Sequence, residues 1–389
     1  MSGMTKIFIH KYVKKHKKMK ILNFSLDSSI LNKNSVSAKR MIEYGCLVEK
    51  YLVIVPSTDK KEIFLNNKTS VIGSGGKNKI CQLFGIYKTA KKILQKEKFD
   101  CISAQDPFEV GLIGLVLSSQ FKISLNVQDH GDFFSQKYWR QESFLHLLRY
   151  YVGAYVIKKS DSIRVVSNRI KDYLIVNFYV KPEKIINVPV YTACEEFEKV
   201  NKINKEDNFV FLNLGRFVKQ KNLPLLLNAF SQVIKKHSEA RLILIGRGPE
   251  EKNLKNICAE LKIENAVEFL DWTENVKDCY AEADVYVLPS NYEGWGRVII
   301  EAAATGLPIV MTDVGCAGEA VINEESALIS SVNDLDGFTK NMLRIIEDKD
   351  LRLRLSESAI QAIKKLPNKD ETLGLYLESW KLALNKNLK

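Results

Sequence analysis

Residues 291–301 read NYEGWGRVIIE and place two acids, Glu293 and Glu301, eight positions apart around a Gly-Trp-Gly turn. A strand-like apolar run, Val285 to Leu288, precedes the turn, and the first turns of a helix are predicted after it. If most of the span is helical, the acids are displaced by about 12 Å along the axis. Carboxylates accept hydrogen bonds from sugar hydroxyls, and backbone N–H groups at a helix start suit a diphosphate. The stretch therefore suits a nucleotide-diphospho-sugar.

Short apolar runs alternate with helical patterns along the 389 residues, which predicts βαβ units, parallel sheets and two domains. Strands are predicted at 20–24, 51–55, 99–103, 122–127, 162–166 and 185–188, and then at 209–213, 241–245, 266–270, 284–288, 308–311 and 327–330. We expect a basic extension at 1–18, a first domain at 19–191, a polar linker at 192–208, a second domain at 209–366 and a terminal helix within 367–389.

Two cations follow the first strand of the second series. Arg216 and Lys221 lie between that strand and a helix predicted to open near Asn222. Cations at a strand end, beside a helix N-terminus, suit a diphosphate leaving group, because negative charge grows there as the bond to the sugar breaks. An Arg and a Lys at this spacing are also common on solvated surfaces, so the functional interpretation depends on the acidic stretch downstream.

The segment from Glu293 to Val310 resembles the Glu-x7-Glu signature of the retaining glycosyltransferases of family 4, which have the GT-B fold. Residues 214–222, LGRFVKQKN, resemble the diphosphate-binding element of that family, and residues 242–249 match as well. The resemblance implies an α/β protein with two facing Rossmann-like doubly wound domains and the active site between them. It also implies that the terminal helix crosses back to the first domain.

The resemblance also implies a role for each residue of the second half. Glu301 would bind the ribose hydroxyls, Glu293 the hydroxyls of the donor sugar, and Arg216 and Lys221 the diphosphate. The whole donor-binding set is Gly215, Arg216, Lys221, Glu293, Gly294, Trp295, Gly296, Arg297 and Glu301. The glycines at 294 and 296 let the backbone approach the ligand closely.

In the first half, residues 127–132, VQDHGD, follow a strand end and resemble the His-bearing loop of the family. The resemblance makes His130 a catalytic candidate beside Glu293, Arg216 and Lys221. Its side chain would contact the donor sugar, and its main-chain carbonyl would face the anomeric carbon. Acceptor-side candidates are Gln105, Asp106 and Asp132, although helix capping also explains Asp106.

This chain departs from the family after its first strand. Many relatives have a Gly-Gly loop there, whereas residues 28–35 read SSILNKNS and contain no glycine. The glycine-rich residues 73–76 could take over that role, but a flexible turn is the simpler interpretation. The loop that closes on the donor phosphate is therefore not identified.

Metal-dependent glycosyltransferases hold a divalent cation with an Asp-x-Asp triplet. Two such triplets, at 334–336 and 348–350, start predicted helices, where capping accounts for them. We therefore expect no metal and no cofactor, and a UDP- or GDP-linked sugar as the donor substrate.

The charge is uneven along the chain. Residues 1–200 carry 33 Lys and Arg against 18 Asp and Glu, and the remainder carries 25 against 28. This pattern suggests an anionic partner for the first half, either a membrane surface or a lipid-linked acceptor. No motif typical of nucleic-acid binding is present, so we expect no nucleic-acid partner. A solvated lysine-rich surface is the alternative explanation.

Seven scattered cysteines without a CxxC pair predict free thiols in a reducing compartment. The longest apolar run, Val110 to Leu117, is too short to span a bilayer. We expect a cytoplasmic protein that can rest on the inner face of the membrane.

The sequence thus predicts a metal-independent retaining glycosyltransferase that moves a hexose-type sugar to a hydroxyl of a glycolipid or a cell-surface polysaccharide precursor. Two alternatives remain open. A sugar-nucleotide epimerase of the same architecture would convert the donor without an acceptor, and a basic binding protein would not turn it over at all.

Overall fold

The structure is a computed structural model that describes residues 19–198, 200, 208–273 and 275–385. The expected extension at 1–18 lies outside the described residues, as do residues 199 and 201–207 of the expected linker. The chain forms two compact units. The first extends to Val188 and includes the terminal segment from Lys369, and the second is Pro189–Asn368.

The first unit contains an eight-stranded sheet in the order β3-β4-β2-β1-β5-β6-β7-β8, in which only β3 runs antiparallel to its neighbour. Its strands are β1 Lys20–Phe24, β2 Lys50–Val55, β3 Glu62–Phe64, β4 Thr69–Gly73, β5 Cys101–Ala104, β6 Ser124–Asp129, β7 Ser162–Val165 and β8 Ile185–Asn187. Its first six α-helices are α1 Val36–Cys46, α2 Lys79–Leu94, α3 Glu109–Phe121, α4 Lys137–Gln141, α5 Phe144–Lys159 and α6 Asn168–Phe178.

The second unit contains a six-stranded parallel sheet in the order β11-β10-β9-β12-β13-β14. Its strands are β9 Val210–Leu214, β10 Arg241–Ile245, β11 Val267–Leu270, β12 Val285–Leu288, β13 Ile309–Thr312 and β14 Leu328–Ser330. Its helices are α7 Leu223–Val233, α8 Glu251–Leu261, α9 Val276–Ala281, α10 Arg297–Ala304, α11 Leu335–Glu347 and α12 Lys349–Ile363. These two parallel-sheet, Rossmann-like domains confirm the predicted fold class.

The last helix, α13 Lys369–Leu384, packs on strands β5 to β8 and on α1 of the first unit. Tyr376, Leu377 and Trp380 are buried in one hydrophobic cluster with β-strand residues such as Ile21 and Tyr51. The apolar face of α13 is therefore part of the hydrophobic core of the first unit.

Two strands of the first unit, β3 and β4, were not predicted. The first is a three-residue antiparallel edge strand, and β4 begins with Thr69 and Ser70, which are polar but buried. Periodicity carries little information in segments this short, so only pairing within the sheet defines them.

Candidate functional site

The order of the second sheet determines where polar loops meet. Strand β9 pairs with β10 on one side and with β12 on the other, so the connection reverses direction between β9 and β12. In open parallel sheets, ligands bind outside the carboxyl ends of the strands at such a switch point. The loop after β9 carries Arg216 and Lys221, and the loop after β12 carries Glu293.

Hydrogen bonds fasten these two loops to each other. The main-chain N–H of Asn291 donates to the carbonyl of Gln220 at 2.8 Å, and the Gln220 side chain donates to the carbonyl of Tyr292 at 2.9 Å. The Asn291 side chain donates to the carbonyl of Lys219 at 3.1 Å. One of these bonds joins the two main chains and the other two join a side chain to a main chain, so the loops that carry Lys221 and Glu293 lie directly against each other.

Lys221 and Glu293 form an ion pair in which Nζ donates to Oε1 at 2.6 Å. Ser290 donates from Oγ to the same oxygen at 2.8 Å. The side chains of the pair are only 13% and 10% exposed. Among the described residues, none donates to Oε2 of Glu293, so that oxygen is available to a ligand hydroxyl.

Arg216 differs from Lys221, although both were predicted to bind the diphosphate. Its side chain is exposed, and it has no ion-pair partner within the described part of the chain. Gly215, just before it, lies so close to the Lys221 side chain that an added Cβ would stand 3.3 Å from Cε. The loop after β9 therefore presents one uncompensated cation and one that is already neutralised by a carboxylate.

Glu301 lies in a different environment from Glu293. Tyr280 donates its hydroxyl to Oε2 at 3.1 Å, and Arg297 donates to Oε1 at 3.3 Å. Burial raises the pKa of the Glu301 carboxyl, while Arg297 and the Tyr280 hydroxyl oppose that shift. Its two oxygens can still accept hydrogen bonds from a diol, because each carboxylate oxygen has more than one acceptor position.

The helix that carries Glu301 begins later than expected. Residues 293–296 form a non-helical loop, Gly296 has a φ of 90°, and α10 begins at Arg297. The displacement of about 12 Å was conditional on a mostly helical span, and only the part from Arg297 onward is helical, so that estimate does not apply to the whole span. Glu293 belongs to the loop and Glu301 to the helix.

The loop of Glu293 packs against a glycine after β13. Gly315 has a φ of 59°, and a Cβ there would lie 2.5 Å from the carbonyl oxygen of Trp295 and 2.9 Å from Cβ of Glu293. The next residue, Cys316, donates its N–H to that carbonyl at 2.8 Å. Trp295 itself is buried, and its indole N–H has no partner in the described structure.

His130, in the first unit, directly follows β6, as predicted. Its Nε2 lies 3.1 Å from Oε1 of Gln128, and its Nδ1 lies 3.4 Å from a guanidinium nitrogen of Arg164. Arg164 and the Tyr376 hydroxyl both donate to Oε1 of Gln128, at 3.0 and 2.7 Å. Because a guanidinium only donates, Oε1 must face Arg164, so Nε2 of His130 carries the proton.

This network also determines the charge of His130. Desolvation lowers the pKa of the imidazole well below its usual range, and the positive charges of Arg164 and Arg40 lower it further. The residue nevertheless keeps an exposed surface. A neutral ring with both nitrogens engaged leaves the main-chain carbonyl as the group that can face a ligand.

The acceptor-side candidates have local partners. Asp106 accepts the N–H of Phe108 at 2.7 Å, and burial raises the pKa of its carboxyl to about 7. Asp132 accepts from the Ser135 hydroxyl and, at 2.9 Å, from the Gln136 side chain. Gln105 extends to the sulfur of Met41, at 3.7 Å. Asp106 and Asp132 therefore have structural roles in their own loops, and Gln105 contacts helix α1.

The two Asp-x-Asp triplets are helix caps. Asp334 accepts the N–H of Gly337 at 2.9 Å at the start of α11, and Asp348 accepts that of Leu351 at 2.8 Å at the start of α12. Within the described residues, no group of three or more His, Cys, Asp or Glu side chains is arranged to hold a metal ion.

Sequence reasoning missed three residues of the site in the second unit: Ser290, Tyr280 and Gly315. Ser290 lies only three positions before Glu293 and could have been noticed as a polar residue at a strand end. Tyr280 lies on α9 and Gly315 after β13, and no local pattern links either one to the acids. Likewise, nothing near His130 in sequence indicated Arg164 or Tyr376.

Two family models match this chain. The model of Glycosyl transferases group 1 matches residues 195–362, and the model of Glycosyltransferase Family 4 matches residues 51–189. Together they cover most of the chain.

Curated relatives agree with these matches. An uncharacterized glycosyltransferase of Haemophilus influenzae is 31% identical over 182 residues, which are 46% of this chain and 50% of that protein. The UDP-Gal:alpha-D-GlcNAc-diphosphoundecaprenol alpha-1,3-galactosyltransferase of Escherichia coli is 25% identical over 293 residues, or 70% of this chain and 75% of that enzyme. The matched segment thus spans only half of the Haemophilus relative.

Solved structures show the same fold at low sequence identity. Sucrose-phosphate synthase from Thermosynechococcus elongatus superposes with a TM-score of 0.78 at 19% identity, covering 94% of this chain and 98% of that one. HepE of Anabaena, solved in complex with UDP and glucose, superposes with a TM-score of 0.69 at 18% identity, covering 92% and 98%.

Proposed function

We propose, from the premise that this chain belongs to the group 1 and family 4 glycosyltransferases, that it transfers a hexose-type sugar from a UDP- or GDP-linked donor to a hydroxyl acceptor, with retention at the anomeric carbon. The observation that carries the proposal is the joined pair of loops at the switch point of the second sheet. These loops carry Arg216, the Lys221–Glu293 pair and the start of α10, all at the carboxyl ends of the strands in the second unit.

The chemistry follows from these groups. Arg216 and Lys221 stabilise the diphosphate as negative charge grows on it, and the N-terminus of α10 adds backbone donors. Oε2 of Glu293 accepts a sugar hydroxyl, while Glu301 accepts those of the ribose. Substitution proceeds on the front face, where a leaving phosphate oxygen helps to remove the acceptor proton. His130 contributes its main-chain carbonyl, which faces the oxocarbenium-like carbon.

The acceptor is a glycolipid or a cell-surface polysaccharide precursor, and the enzyme acts from the cytoplasm at the membrane surface. Support comes from the excess of Lys and Arg in residues 1–200 and from the E. coli relative, whose name specifies a lipid diphosphate acceptor. None of the described helices is long and apolar enough to cross a bilayer. A lipid-linked acceptor would therefore be reached from the surface.

The first test is release of nucleoside diphosphate from a panel of UDP-, GDP- and ADP-sugars, with and without EDTA. We expect turnover of one donor that persists in EDTA, because Arg216, Lys221 and a helix terminus stabilise the leaving group. Loss of turnover in EDTA that Mg²⁺ or Mn²⁺ restores would refute metal independence. Conversion of the sugar without diphosphate release would indicate an epimerase, and binding without turnover a non-catalytic protein.

Variants separate the roles within the site. Arg216→Ala should lower kcat by about 10²- to 10³-fold, the scale of removing one donor to a developing anion. Glu301→Ala should mainly raise the donor KM, because the ribose is remote from the reacting bond. Arg241→Ala, a half-buried position at the first residue of β10 and therefore opposite the carboxyl ends that carry the loops, serves as a control. An unchanged kcat in Arg216→Ala would contradict the assignment, as would a Glu301→Ala enzyme with normal KM and no turnover.

A further inference from the structure

Helix α5 presents an apolar stripe to solvent. Phe144, Leu148, Tyr151 and Tyr155 follow each other at about one helical turn and are between 51% and 83% exposed. The opposite side of the helix, with Gly153, Val156 and Ile157, is buried. A surface helix normally places polar residues on its outward side. The buried side of α5 already packs on the unit, so the exposed apolar side makes no contribution to the core.

The stripe continues onto the neighbouring helix α3, which packs against α5. Leu112 and Val116 of α3 are also exposed. A shallow depression between the helices is lined by both of these residues together with Tyr155 and Lys159 of α5. We call the combined surface the outer stripe; it consists of Leu112, Val116, Phe144, Leu148, Tyr151 and Tyr155. Contiguous exposed apolar surfaces of this kind mark interaction sites.

Basic side chains flank the outer stripe. Lys122, Lys158 and Lys159 are exposed at its end. The next helix, α2, packs on α3, and a second depression lies between α2 and residues 60–62, where Lys60, Lys61, Lys88 and Lys92 line it together with one acid, Glu62.

The acids near the outer stripe are already engaged. Glu109 accepts from Arg149 at 2.8 Å, and Asp161 accepts the N–H of Leu125 at 2.9 Å. Glu142 lies 3.3 Å from a ring nitrogen of His146. At the end of the stripe the three exposed lysines outnumber the one acid that lines the same depression, Asp161, so the surface is apolar in the middle and net positive at that end.

We propose that the outer stripe is the surface by which this protein docks on an anionic lipid bilayer. Phe144 and Leu148 enter the acyl boundary, Tyr151 and Tyr155 lie at headgroup depth with their hydroxyls toward water, and the lysines meet lipid phosphates. The inference rests on the proposed function, since docking there brings the acceptor domain to a lipid-linked substrate.

A second copy of this chain is the competing occupant. A symmetric contact would press the same surface of two molecules together and would gather the exposed lysines of both copies, Lys122, Lys158 and Lys159, around one interface. Such like charges repel, whereas an anionic bilayer neutralises them. The charge at the edges of the stripe thus favours lipid.

The test is co-sedimentation of the full chain with vesicles of phosphatidylglycerol and phosphatidylethanolamine, compared with pure phosphatidylcholine. The stripe variant is F144S/L148S/Y151S. The matched control is V36S/L353S, which removes exposed apolar side chains from α1 and α12, two helices that contribute no residue to the stripe. Donor hydrolysis in buffer without vesicles is measured in parallel, and circular dichroism verifies folding.

We expect wild type and control to bind the anionic vesicles, with binding that weakens as salt rises, and the stripe variant to bind them roughly tenfold or more weakly. Hydrolysis without vesicles should be equal in all three. Equal vesicle binding by the stripe variant and wild type would overturn the proposal. The proposal would also be overturned if wild type were a dimer that does not bind vesicles and the stripe variant were a monomer. If wild type showed no donor hydrolysis, that result would contradict the proposed function, whereas the vesicle-binding result could still be interpreted.

Discussion

At the scale of single residues, His130 shows how the protonation state of a side chain depends on residues from distant parts of the chain. Gln128 on β6, Arg164 on β7 and Tyr376 on α13 meet around one amide oxygen. Tyr376 also stacks on Tyr44 and lies under the Arg164 guanidinium, 4.4 Å from its ring centroid. These contacts hold the imidazole neutral and the loop after β6 in one conformation.

We predict that Arg164→Gln changes the pH profile of kcat. Loss of the neighbouring cation raises the folded-state pKa of His130 toward its ordinary value, so the ring gains a proton as pH falls toward 6. The ratio of kcat at pH 6 to kcat at pH 8 should then fall several-fold below that of wild type. Arg164→Lys keeps the charge and should retain the wild-type profile. An unchanged pH profile of kcat in Arg164→Gln would show that Arg164 does not control the protonation of His130.

A second prediction concerns Asp106, whose folded-state pKa of about 7 lies above its ordinary value of 3.8. The folded protein therefore binds this proton more tightly than the unfolded chain. Its contribution lowers the free energy of unfolding as pH rises from about 4 to 7, by at most about 1.4 kcal/mol per pH unit. Asp106→Asn keeps the acceptor for the Phe108 N–H but cannot ionise.

Urea unfolding at pH 5 and pH 8 measures this effect. Between these pH values, wild type should lose on the order of 2 kcal/mol more stability than Asp106→Asn. Asp336→Asn, at an exposed first-turn position of α11, serves as a control for the loss of one charge. Equal pH dependence of wild type and Asp106→Asn would show that the carboxyl is ionised throughout.

At the scale of elements, α13 is joined to its sheet by specific polar contacts as well as by burial. The indole N–H of Trp380 donates to the Ser103 hydroxyl at 3.2 Å, and the carbonyl of Ser379 accepts from the Ser162 hydroxyl at 2.8 Å. Ser103 also accepts from Gln128, at 2.9 Å, so the helix is connected to the network of His130. Its register on the sheet is therefore determined by hydrogen bonds inside the core.

We predict that Trp380→Ala destabilises the first unit by about 3–5 kcal/mol, because it leaves a large cavity beside Tyr51. Trp380→Phe keeps most of the ring but leaves the Ser103 contact unmade, and should cost about 1–3 kcal/mol. Denaturant unfolding measures both. An equal loss in the two variants would mean that the hydrogen bond, and not the volume, dominates at this position.

At the scale of the whole molecule, each unit contains a hydrophobic cluster of described residues that shares no residue with the cluster of the other unit. One contains the sheet of the second unit with α7, α11 and α12, and the other contains strands β1, β2, β4 and β5 with α13. Each unit therefore has the core it needs to unfold as its own cooperative step.

We predict two calorimetric transitions with different sensitivities. Trp380→Ala should lower the transition of the first unit alone. Addition of the preferred nucleoside diphosphate at 100 times its Kd should stabilise the second unit by about 2.7 kcal/mol, because the proposed ligand contacts lie there. If the nucleotide raised only the transition that Trp380→Ala lowers, the donor site would belong to the first unit and the prediction would be wrong.

Local pattern determined much of this protein. The alternation of apolar runs and helical periods predicted two parallel α/β domains, and most strands lie within two residues of their expected bounds, since the hydrophobic period reports burial directly. The spacing of Glu293 and Glu301 and the Arg216–Lys221 pair were visible in the sequence. The family matches agree with that interpretation.

Tertiary structure alone decided the rest. It paired Lys221 with Glu293, joined Ser290, Tyr280 and Gly315 to the same region, and surrounded His130 with Arg164 and Tyr376. It also began α10 at Arg297, which separated the two acids into a loop and a helix. The reason is that hydrogen bonds and ion pairs act over a few ångströms in space. Residues far apart in the chain enter that range only when strand order and helix packing bring them together.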